Sequence, residues 1–295
     1  MNKFNQEARE CLEYFAGREE KLLAELQVIM ESTIPVQGQI LRYPGPCPSL
    51  ERQVRLYNWL VRPMLAQGLE LARLGGPGDG GYVMPDPGRG GVAYSLGIAD
   101  NVSWDLDMAS RGFELYQYDG SVDGVPVEHP AFHFEKYFIG GQPELPAGWK
   151  NLPALISENG HAGREDLILQ IDIEGSEWDV FASLGDETLR SFRQIIVELH
   201  LPPNELGLLP LRNAVLRLLN IHHQAVHVHV NNNATSMVLG NEAFWTVIEV
   251  SYLRRDDFKF LPSSMRYPTS LDAPCNLMRL EPEPGYWGLL ELLPK

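Results

Sequence analysis

Apolar residues recur with two different periods along the chain, and the alternation of these periods predicts an α/β fold. Runs rich in β-branched and aromatic residues, typical of strands, occupy residues 92–96, 113–118, 167–173, 194–199, 225–230 and 244–252. Helical spacing occurs at residues 104–110, 177–183 and 209–221. Strands that alternate with helices favour a mainly parallel sheet. The last two strands flank a polar stretch at 231–235 and are expected to form an antiparallel hairpin.

The N-terminal part of the chain has a different pattern. Residues 4–31 carry apolar side chains at helical spacing, which predicts an amphipathic helix that packs on the core or on a second subunit of a homodimer. A Pro- and Gly-rich connector at 35–48 precedes a second helical pattern at 50–71. We therefore expect an N-terminal helical extension (1–70), a core domain (71–255) and a C-terminal tail that packs on the core (256–295).

Charge and cysteine content exclude several classes of function. The chain of 295 residues has 24 Lys and Arg against 39 Asp and Glu, a net charge of −15 that would repel a nucleic-acid backbone. Its cysteines, Cys11, Cys47 and Cys275, form no CxxC pair, which argues against a zinc knuckle or a disulfide framework. The sequence shows no secretory signal and no long apolar segment, so we expect a cytoplasmic protein without a membrane partner.

Residues 91–121 have the pattern of a nucleoside-binding strand, turn, helix and strand. Gly97 follows the first strand and Asp119 ends the second, 22 positions later. A glycine turn lets a ligand approach the backbone, and an acid at the next strand end can accept both ribose hydroxyls. We expect the two turns to supply the cofactor contacts, from Ser95, Gly97, Ile98, Asn101, Asp119, Gly120 and Ser121.

The turn also favours one nucleoside over another. A dinucleotide site would show GxGxxG, whereas residues 97–101 read GIADN. The extra carboxylate of Asp100 would oppose a diphosphate but suits the cationic sulfonium and amino group of S-adenosylmethionine (SAM). SAM is the expected cofactor, and NAD is the alternative.

A second chemical motif follows the strand at 167–173. Alternation places Asp172 and Glu174 on one side, and Gly175 allows a sharp turn at the carboxyl edge of the sheet, where ligands of α/β proteins bind. Asp172 is thus also a cofactor candidate. Ser176 and Asp179 have the spacing of a helix capping box.

These motifs carry a resemblance to a known family. The segment IDIEGSEWDVF (171–181) resembles the IDxEGxE motif of FkbM-like methyltransferases. GDGGYVMPD (78–86), SLGIADNVSWD (95–105) and HVHVNNN (227–233) look like a branch of that superfamily that includes animal methyltransferase-like proteins. The resemblance covers roughly residues 70–275, although this chain has Cys275 where the branch tends to have Asn after Pro. It implies a class I methyltransferase with a Rossmann-like, mainly parallel sheet that ends in an antiparallel hairpin, and SAM as the methyl donor.

Two later strands offer polar side chains that could complete the site. Glu198 and His200 share one strand face, as do His227, His229 and Asn231 on the next strand. We expect Asp172, His200 and His229 to act as a general base or to bind a divalent cation. The alternative is that the histidines are core residues hydrogen-bonded to backbone. Tyr82, Glu174, Glu198 and Asn231 are the candidates for substrate contact.

The sequence therefore predicts a SAM-dependent methyltransferase that acts on an oxygen of a small molecule or sugar. Two alternatives remain open, another Rossmann nucleotide enzyme such as an NAD-linked oxidoreductase, and a SAM-binding protein without catalysis.

Overall fold

The computed structural model describes residues 41–42 and 48–287. The helix expected at 4–31, and with it the dimer contact, lies outside the described residues, as does most of the connector at 35–48. None of the described helices is both long and apolar enough to cross a membrane.

A seven-stranded sheet forms the centre of the molecule. Its strands are β5 (Gly91–Leu96), β6 (Phe113–Tyr118), β7 (Phe132–Glu135), β10 (Leu167–Ile171), β11 (Phe192–His200), β12 (His223–Val230) and β15 (Val247–Arg254). They lie in the order β7-β6-β5-β10-β11-β15-β12. Every neighbouring pair from β7 to β11 is parallel, and β15 runs antiparallel to both β11 and β12. The predicted Rossmann-like, mainly parallel sheet is confirmed. The edge strand β7 was not predicted, because its segment is short and half-exposed.

Helices and small sheets of two or three strands surround this sheet. The helices are α1 (Pro48–Leu60), α2 (Ser103–Ser110), α3 (Leu152–Glu158), α4 (Glu177–Ser183), α5 (Asp186–Ser191) and α6 (Leu209–His222), with short 3₁₀ turns at Pro203–Leu208 and Arg255–Asp257. The remaining strands are β1 (Leu41–Arg42), β2 (Met64–Ala66), β3 (Leu71–Leu74), β4 (Tyr82–Pro85), β8 (Phe138–Ile139), β9 (Trp149–Lys150), β13 (Ser236–Leu239), β14 (Glu242–Trp245), β16 (Phe260–Pro262), β17 (Arg266–Tyr267) and β18 (Gly285–Tyr286).

Two details differ from the sequence prediction. The helix expected over 50–71 ends at Leu60, because Pro63 lacks an amide donor and its ring would clash with the preceding turn, and the chain continues as β2. The C-terminal strands β12 and β15 pair antiparallel as predicted, but no tight turn joins them. The hairpin β13–β14 lies between them, and the predicted strand at 244–252 breaks at Thr246.

The two faces of the sheet have different chemistry. One face packs against α1, α3, α4 and α6 in a continuous apolar core. The other is covered by α2 and the β3–β4 hairpin, and it is apolar only toward the start of each strand. Along β11, for example, the buried Ile196 is followed on the same face by Glu198 and His200. Polar side chains therefore collect on this face at the carboxyl edge of the parallel strands.

Candidate functional site

The loop after β10 is built around the carboxylate of Glu177. This side chain has no exposed surface, and its two oxygens accept hydrogen bonds from the amides of Ile173 (2.8 Å) and Gly175 (2.9 Å). Ser176 makes no capping hydrogen bond from its side chain, so the predicted capping box with Asp179 is wrong. Glu177 instead holds the loop that precedes α4, because its buried carboxylate accepts from two amides of that loop.

The same loop presents Glu174 to solvent. Glu174 adopts a left-handed backbone conformation with φ of 56°, followed by Gly175 at 105°. A non-glycine residue in this region is held there by its surroundings at a cost of about 1 kcal/mol or more. The side chain of Glu174 is 87% exposed, yet its Oε2 lies 3.4 Å from Nε2 of His200.

His200 ends β11 and lies among three carboxylates. Its Nδ1 is 3.2 Å from Glu177 Oε1, and its Nε2 is 4.0 Å from Asp172 Oδ1. The backbone carbonyl of His200 accepts the Trp178 indole hydrogen bond at 2.6 Å, which ties α4 to the end of β11. Burial lowers the pKa of His200, but Glu177 and the other carboxylates outweigh it and raise the pKa to about 9. His200 is therefore an imidazolium near neutral pH.

Protons are also held by the neighbouring carboxyl groups. Burial raises the pKa of Asp172 well above its usual range, and Glu198, Glu177 and Glu174 raise it further. Burial and Glu249 likewise raise the pKa of Glu198 to about 7. Asp172 Oδ1 is buried and makes no hydrogen bond within the described part of the chain. The pocket thus brings together more carboxyl groups than it has cations, and burial favours the protonated form of Asp172 and Glu198.

The loop 75–81 covers the pocket from the side of the β3–β4 hairpin. The Arg73 guanidinium donates to the carbonyls of Gly76 and Gly78, and Asn101 Nδ2 donates to the carbonyl of Asp79 at 2.5 Å. Burial raises the pKa of Asp79, with contributions from Glu249 and Glu174. Seven residues separate the paired ends Leu74 and Tyr82, so this segment is a folded loop.

Gly97 is required by packing within the protein. It has a φ of 82°, and a Cβ built on it would lie 1.7 Å from the carbonyl oxygen of Asp172. The ends of β5 and β10 thus approach each other so closely that only glycine fits. The sequence prediction attributed this glycine to ligand access, and the structure adds the Asp172 backbone as a sufficient reason.

Asp119 organises the two turns expected to bind the cofactor. Its Oδ2 accepts from the Ala99 amide (2.8 Å), and its Oδ1 accepts from the Ser121 amide (2.7 Å) and hydroxyl (2.6 Å). A carboxylate has about four accepting positions. Three are used, so Asp119 has room for one ribose hydroxyl, and for a second only if the Ser121 hydroxyl rotates away.

An aromatic pair beside Asp119 was missed by the sequence reasoning. Phe138 lies so close to Gly120 that a Cβ there would be 2.3 Å from the ring, and Phe138 stacks on Trp149 at 5.1 Å between centroids. Phe138 is 43% exposed, which is high for a phenylalanine. Its segment β8 has only two residues, which is too short for a periodic signal.

The remaining cofactor candidates have mainly internal contacts. Ser95 is buried and donates to Gln170 Oε1 at 3.0 Å, and Ile98 is buried as well. Asn101 accepts from the amide of Ser103, the first residue of α2, at 3.0 Å. These side chains shape the turn, and a direct contact with cofactor stays a prediction for each of them.

The structure does not bring His229 together with Asp172 and His200. Within the described ranges, two groups of three residues have potential ligand atoms within 4.8 Å of one another. One group is Asp172, Glu174 and His200, and the other is His229, Glu249 and Cys275. Both ring nitrogens of His229 contact carboxylates. The prediction that Asp172, His200 and His229 form one metal site is therefore wrong. Glu174 lies where His229 was expected. The reason is that β15 lies between β11 and β12, so His200 on β11 and His229 on β12 are on strands that are not neighbours.

Three of the four substrate candidates lie beneath the pocket. Tyr82, Glu198 and Asn231 are 4%, 3% and 7% exposed, and Asn231 donates to Glu198 Oε1 at 2.5 Å. The Tyr82 hydroxyl accepts from Gln170 Nε2 at 3.2 Å. Only Glu174 is open to solvent, so these buried groups support the pocket floor, and substrate contact stays a prediction.

Comparison with known proteins gives one family match. Residues 150–232 match the family model described as the methyltransferase FkbM domain. The matched segment contains β10, the 172–177 loop, β11 and β12, and so includes Asp172, Glu174 and His200. No curated protein matched the chain. The match supports a methyltransferase, and the family implies SAM as methyl donor, whereas the branch of animal methyltransferase-like proteins stays a prediction.

Proposed function

We propose that this protein transfers a methyl group from SAM to an oxygen of a small molecule or sugar, with Asp172, Glu174 and His200 at the site of transfer. The proposal depends on one observation above all. These three side chains meet at the carboxyl edge of the sheet, inside the segment that matches the methyltransferase family and one strand away from Gly97.

The chain has groups that fit the chemistry of SAM. Asp119 offers a carboxylate at the end of β6 for the ribose, and the exposed Phe138 ring beside Gly120 offers a surface on which adenine can stack. Asp172 Oδ1 is a buried oxygen without a hydrogen-bond partner among the described residues. An acidic pocket also suits a ligand with a sulfonium and an ammonium group.

SAM supplies a methyl group on a positively charged sulfur. In the transfer, the acceptor oxygen forms the new bond to carbon, the carbon–sulfur bond breaks, and its electron pair returns to sulfur. The hydroxyl proton must leave as the oxygen attacks, so the protein must accept that proton or stabilise the alkoxide.

The protonation state of the pocket decides how this occurs. His200 is charged near neutral pH in the protein alone, so it cannot accept a proton until it has lost its own. Bound cationic charge would lower its pKa and release that proton. Asp172, Glu174 and His200 also form a suitable ligand set for a divalent cation that accepts both carboxylate and imidazole ligands, such as Mn²⁺. We propose that a cation, either the sulfonium or a metal ion, prepares His200 or the acceptor hydroxyl for reaction.

Calorimetry with SAM, S-adenosylhomocysteine and NAD tests the core of the proposal. We expect SAM and S-adenosylhomocysteine to bind and NAD to show no heat. Binding of NAD without either SAM compound would contradict the proposal and favour the oxidoreductase alternative.

The acceptor can be sought with labelled SAM. Purified protein incubated with a small-molecule extract and methyl-labelled SAM should give a product that contains the label on oxygen, identified by mass spectrometry. The same incubation can be made with protein fractions. If SAM binds but neither the small-molecule extract nor the protein fractions give a labelled product, the protein binds SAM without catalysis.

A further inference from the structure

We infer that His229, Glu249 and Cys275 form a binding site for Zn²⁺, separate from the site of methyl transfer. The three residues come from β12, from β15 and from the segment after β17. All three side chains are buried, and one ligand atom from each lies within 4.8 Å of the other two. The inference is independent of the proposed function.

The distances already approach those of a zinc site. Cys275 Sγ lies 3.3 Å from Glu249 Oε1, and His229 Nδ1 lies 2.8 Å from Glu249 Oε2. Zinc bonds of about 2.0 Å to nitrogen and oxygen and about 2.3 Å to sulfur place tetrahedral ligands roughly 3.2 to 3.8 Å apart. Small side-chain rotations would therefore be sufficient to coordinate an ion.

The ring nitrogen of His229 that faces away from Glu249 makes a contact typical of histidines that bind metal. Its second ring nitrogen, Nε2, lies 2.6 Å from Oε1 of Glu281. A histidine that binds metal usually donates its other ring N–H to a carboxylate, which fixes the orientation of the ring. Glu281 makes this contact from the C-terminal segment, so the ring is held with Nδ1 toward Glu249 and Cys275.

The local charge favours a cation. Glu249 is only 4% exposed, and its register neighbours on the two adjacent strands are Glu198 and His229. Glu249 and Glu281 are two carboxyl groups in direct contact with one imidazole, which can carry only one positive charge. Buried carboxylates in excess of their cations are costly, and a divalent ion would offset this cost.

The ligand types select the ion. A thiolate, an imidazole and a carboxylate together suit Zn²⁺, whereas Mg²⁺ and Ca²⁺ prefer oxygen ligands alone. On binding, zinc replaces the proton of the Cys275 thiol and any proton on His229 Nδ1, and these protons pass to solvent. The ion would join β12 and β15 to the segment that contains Cys275.

Cobalt substitution and zinc analysis test this site in the full-length protein. We expect about one zinc per chain by mass spectrometry after purification without chelator. We also expect a thiolate-to-cobalt charge-transfer band when the metal-free protein is titrated with Co²⁺. Cys275→Ser should abolish the band, and Glu281→Gln should weaken Co²⁺ affinity about 10- to 100-fold.

Two control variants separate this site from other sources of signal. Cys47→Ser removes another thiol and should leave the band unchanged, and His200→Gln alters the proposed transfer site and should also leave it unchanged. A wild-type protein without zinc and without the band would overturn the inference, as would a band that persists in Cys275→Ser. If circular dichroism shows that Cys275→Ser is unfolded, loss of the band in folded Glu249→Gln supports the site, and its full retention overturns it.

The test of the zinc site does not depend on the proposed methyl transfer. If SAM fails to bind while the cobalt band is present, the proposed function fails and the zinc site stands. If SAM binds and the cobalt band is absent, the zinc site fails and the proposed function stands.

Discussion

Glu177 Oε1 lies 3.2 Å from Nδ1 of His200, and the Glu177 side chain has no exposed surface. The same carboxylate holds the amides of Ile173 and Gly175. One buried acid therefore both fixes the shape of the 172–177 loop and raises the pKa of the histidine across the pocket. Glu177 would act as a positioning residue, because its contacts reach the pocket only through the loop and through His200.

Glu177→Gln should lower the pKa of His200 and destabilise the protein. Glutamine keeps one oxygen acceptor but loses the negative charge, so it cannot satisfy both amides and the imidazolium. A lost buried hydrogen bond of this kind costs about 1 to 3 kcal/mol. NMR titration of the histidine ring measures the pKa, and urea unfolding measures the free energy. Asp179→Asn, on the exposed side of the same helix, should change neither; an unchanged His200 pKa in Glu177→Gln would contradict the assigned contact.

The free energy of unfolding should fall as the pH rises from about 6.5 to about 9. The pKa of His200 is about 9 in the folded protein against 6.5 for an ordinary histidine, so the folded state retains the proton longer. Its contribution is fully present below pH 6.5 and is lost as the pH passes through 9, by at most about 3 kcal/mol.

Urea unfolding at several pH values checks this dependence. In the metal-free protein the pKa of His229 is also raised, which adds to the decrease in the same direction. His200→Gln should reduce the slope, while His133→Gln, with a side chain 44% exposed, should not. Equal slopes in wild type and His200→Gln would show that His200 is not charged in the folded protein.

Gly97→Ala should destabilise the protein far more than Gly148→Ala. The two glycines have nearly equal φ angles, 82° and 83°, so alanine meets the same backbone strain at both. At Gly97 the new Cβ would lie 1.7 Å from the Asp172 carbonyl oxygen, whereas at Gly148 nothing lies within 4 Å. We expect a loss of about 1 kcal/mol at Gly148 and several kcal/mol at Gly97. Thermal unfolding of both variants would reveal the difference; similar losses would show that β5 and β10 do not approach so closely.

Asp119→Ala should weaken SAM binding, whereas Asp172→Asn and His200→Gln should reduce turnover and largely keep SAM affinity. Asp119 lies at the end of β6 among the cofactor turns, and the other two residues form the proposed acceptor pocket. Calorimetry gives the affinities, and transfer of labelled methyl gives turnover. Equal loss of SAM affinity in all three variants would place Asp172 and His200 in the cofactor site instead.

Phe138→Ala tests the aromatic surface beside Asp119. Loss of one stacking surface should weaken SAM binding by about 1 to 2 kcal/mol, equivalent to roughly a 5- to 30-fold change in Kd. Phe260→Ala, a change in a partly exposed ring of β16 on a different small sheet, is the control and should leave SAM affinity unaltered. Calorimetry with an unchanged Kd for Phe138→Ala would exclude adenine stacking on this ring.

Much of the fold was determined by the local sequence. The predicted strands and core helices depend on hydrophobic periodicity, which a single segment contains in full. Five of the six predicted strands and all three core helices are present in the structure, and the sixth strand is divided at Thr246 between β14 and β15. Asp172 and His200 could likewise be placed at one edge, since parallel strands end on the same side of a sheet. The motif at 171–181 was sufficient to indicate the methyltransferase family that residues 150–232 match.

Only the tertiary structure decided which polar groups meet. Strand order is not encoded in the periodicity of any one strand, and the insertion of β15 between β11 and β12 separates His229 from Asp172 and His200. The roles of Glu177, Phe138 and Cys275 depend on contacts between distant segments, and such contacts leave no local pattern. The sequence by itself determined the elements and the edge at which chemistry would occur, while packing across the sheet determined the partners of each side chain.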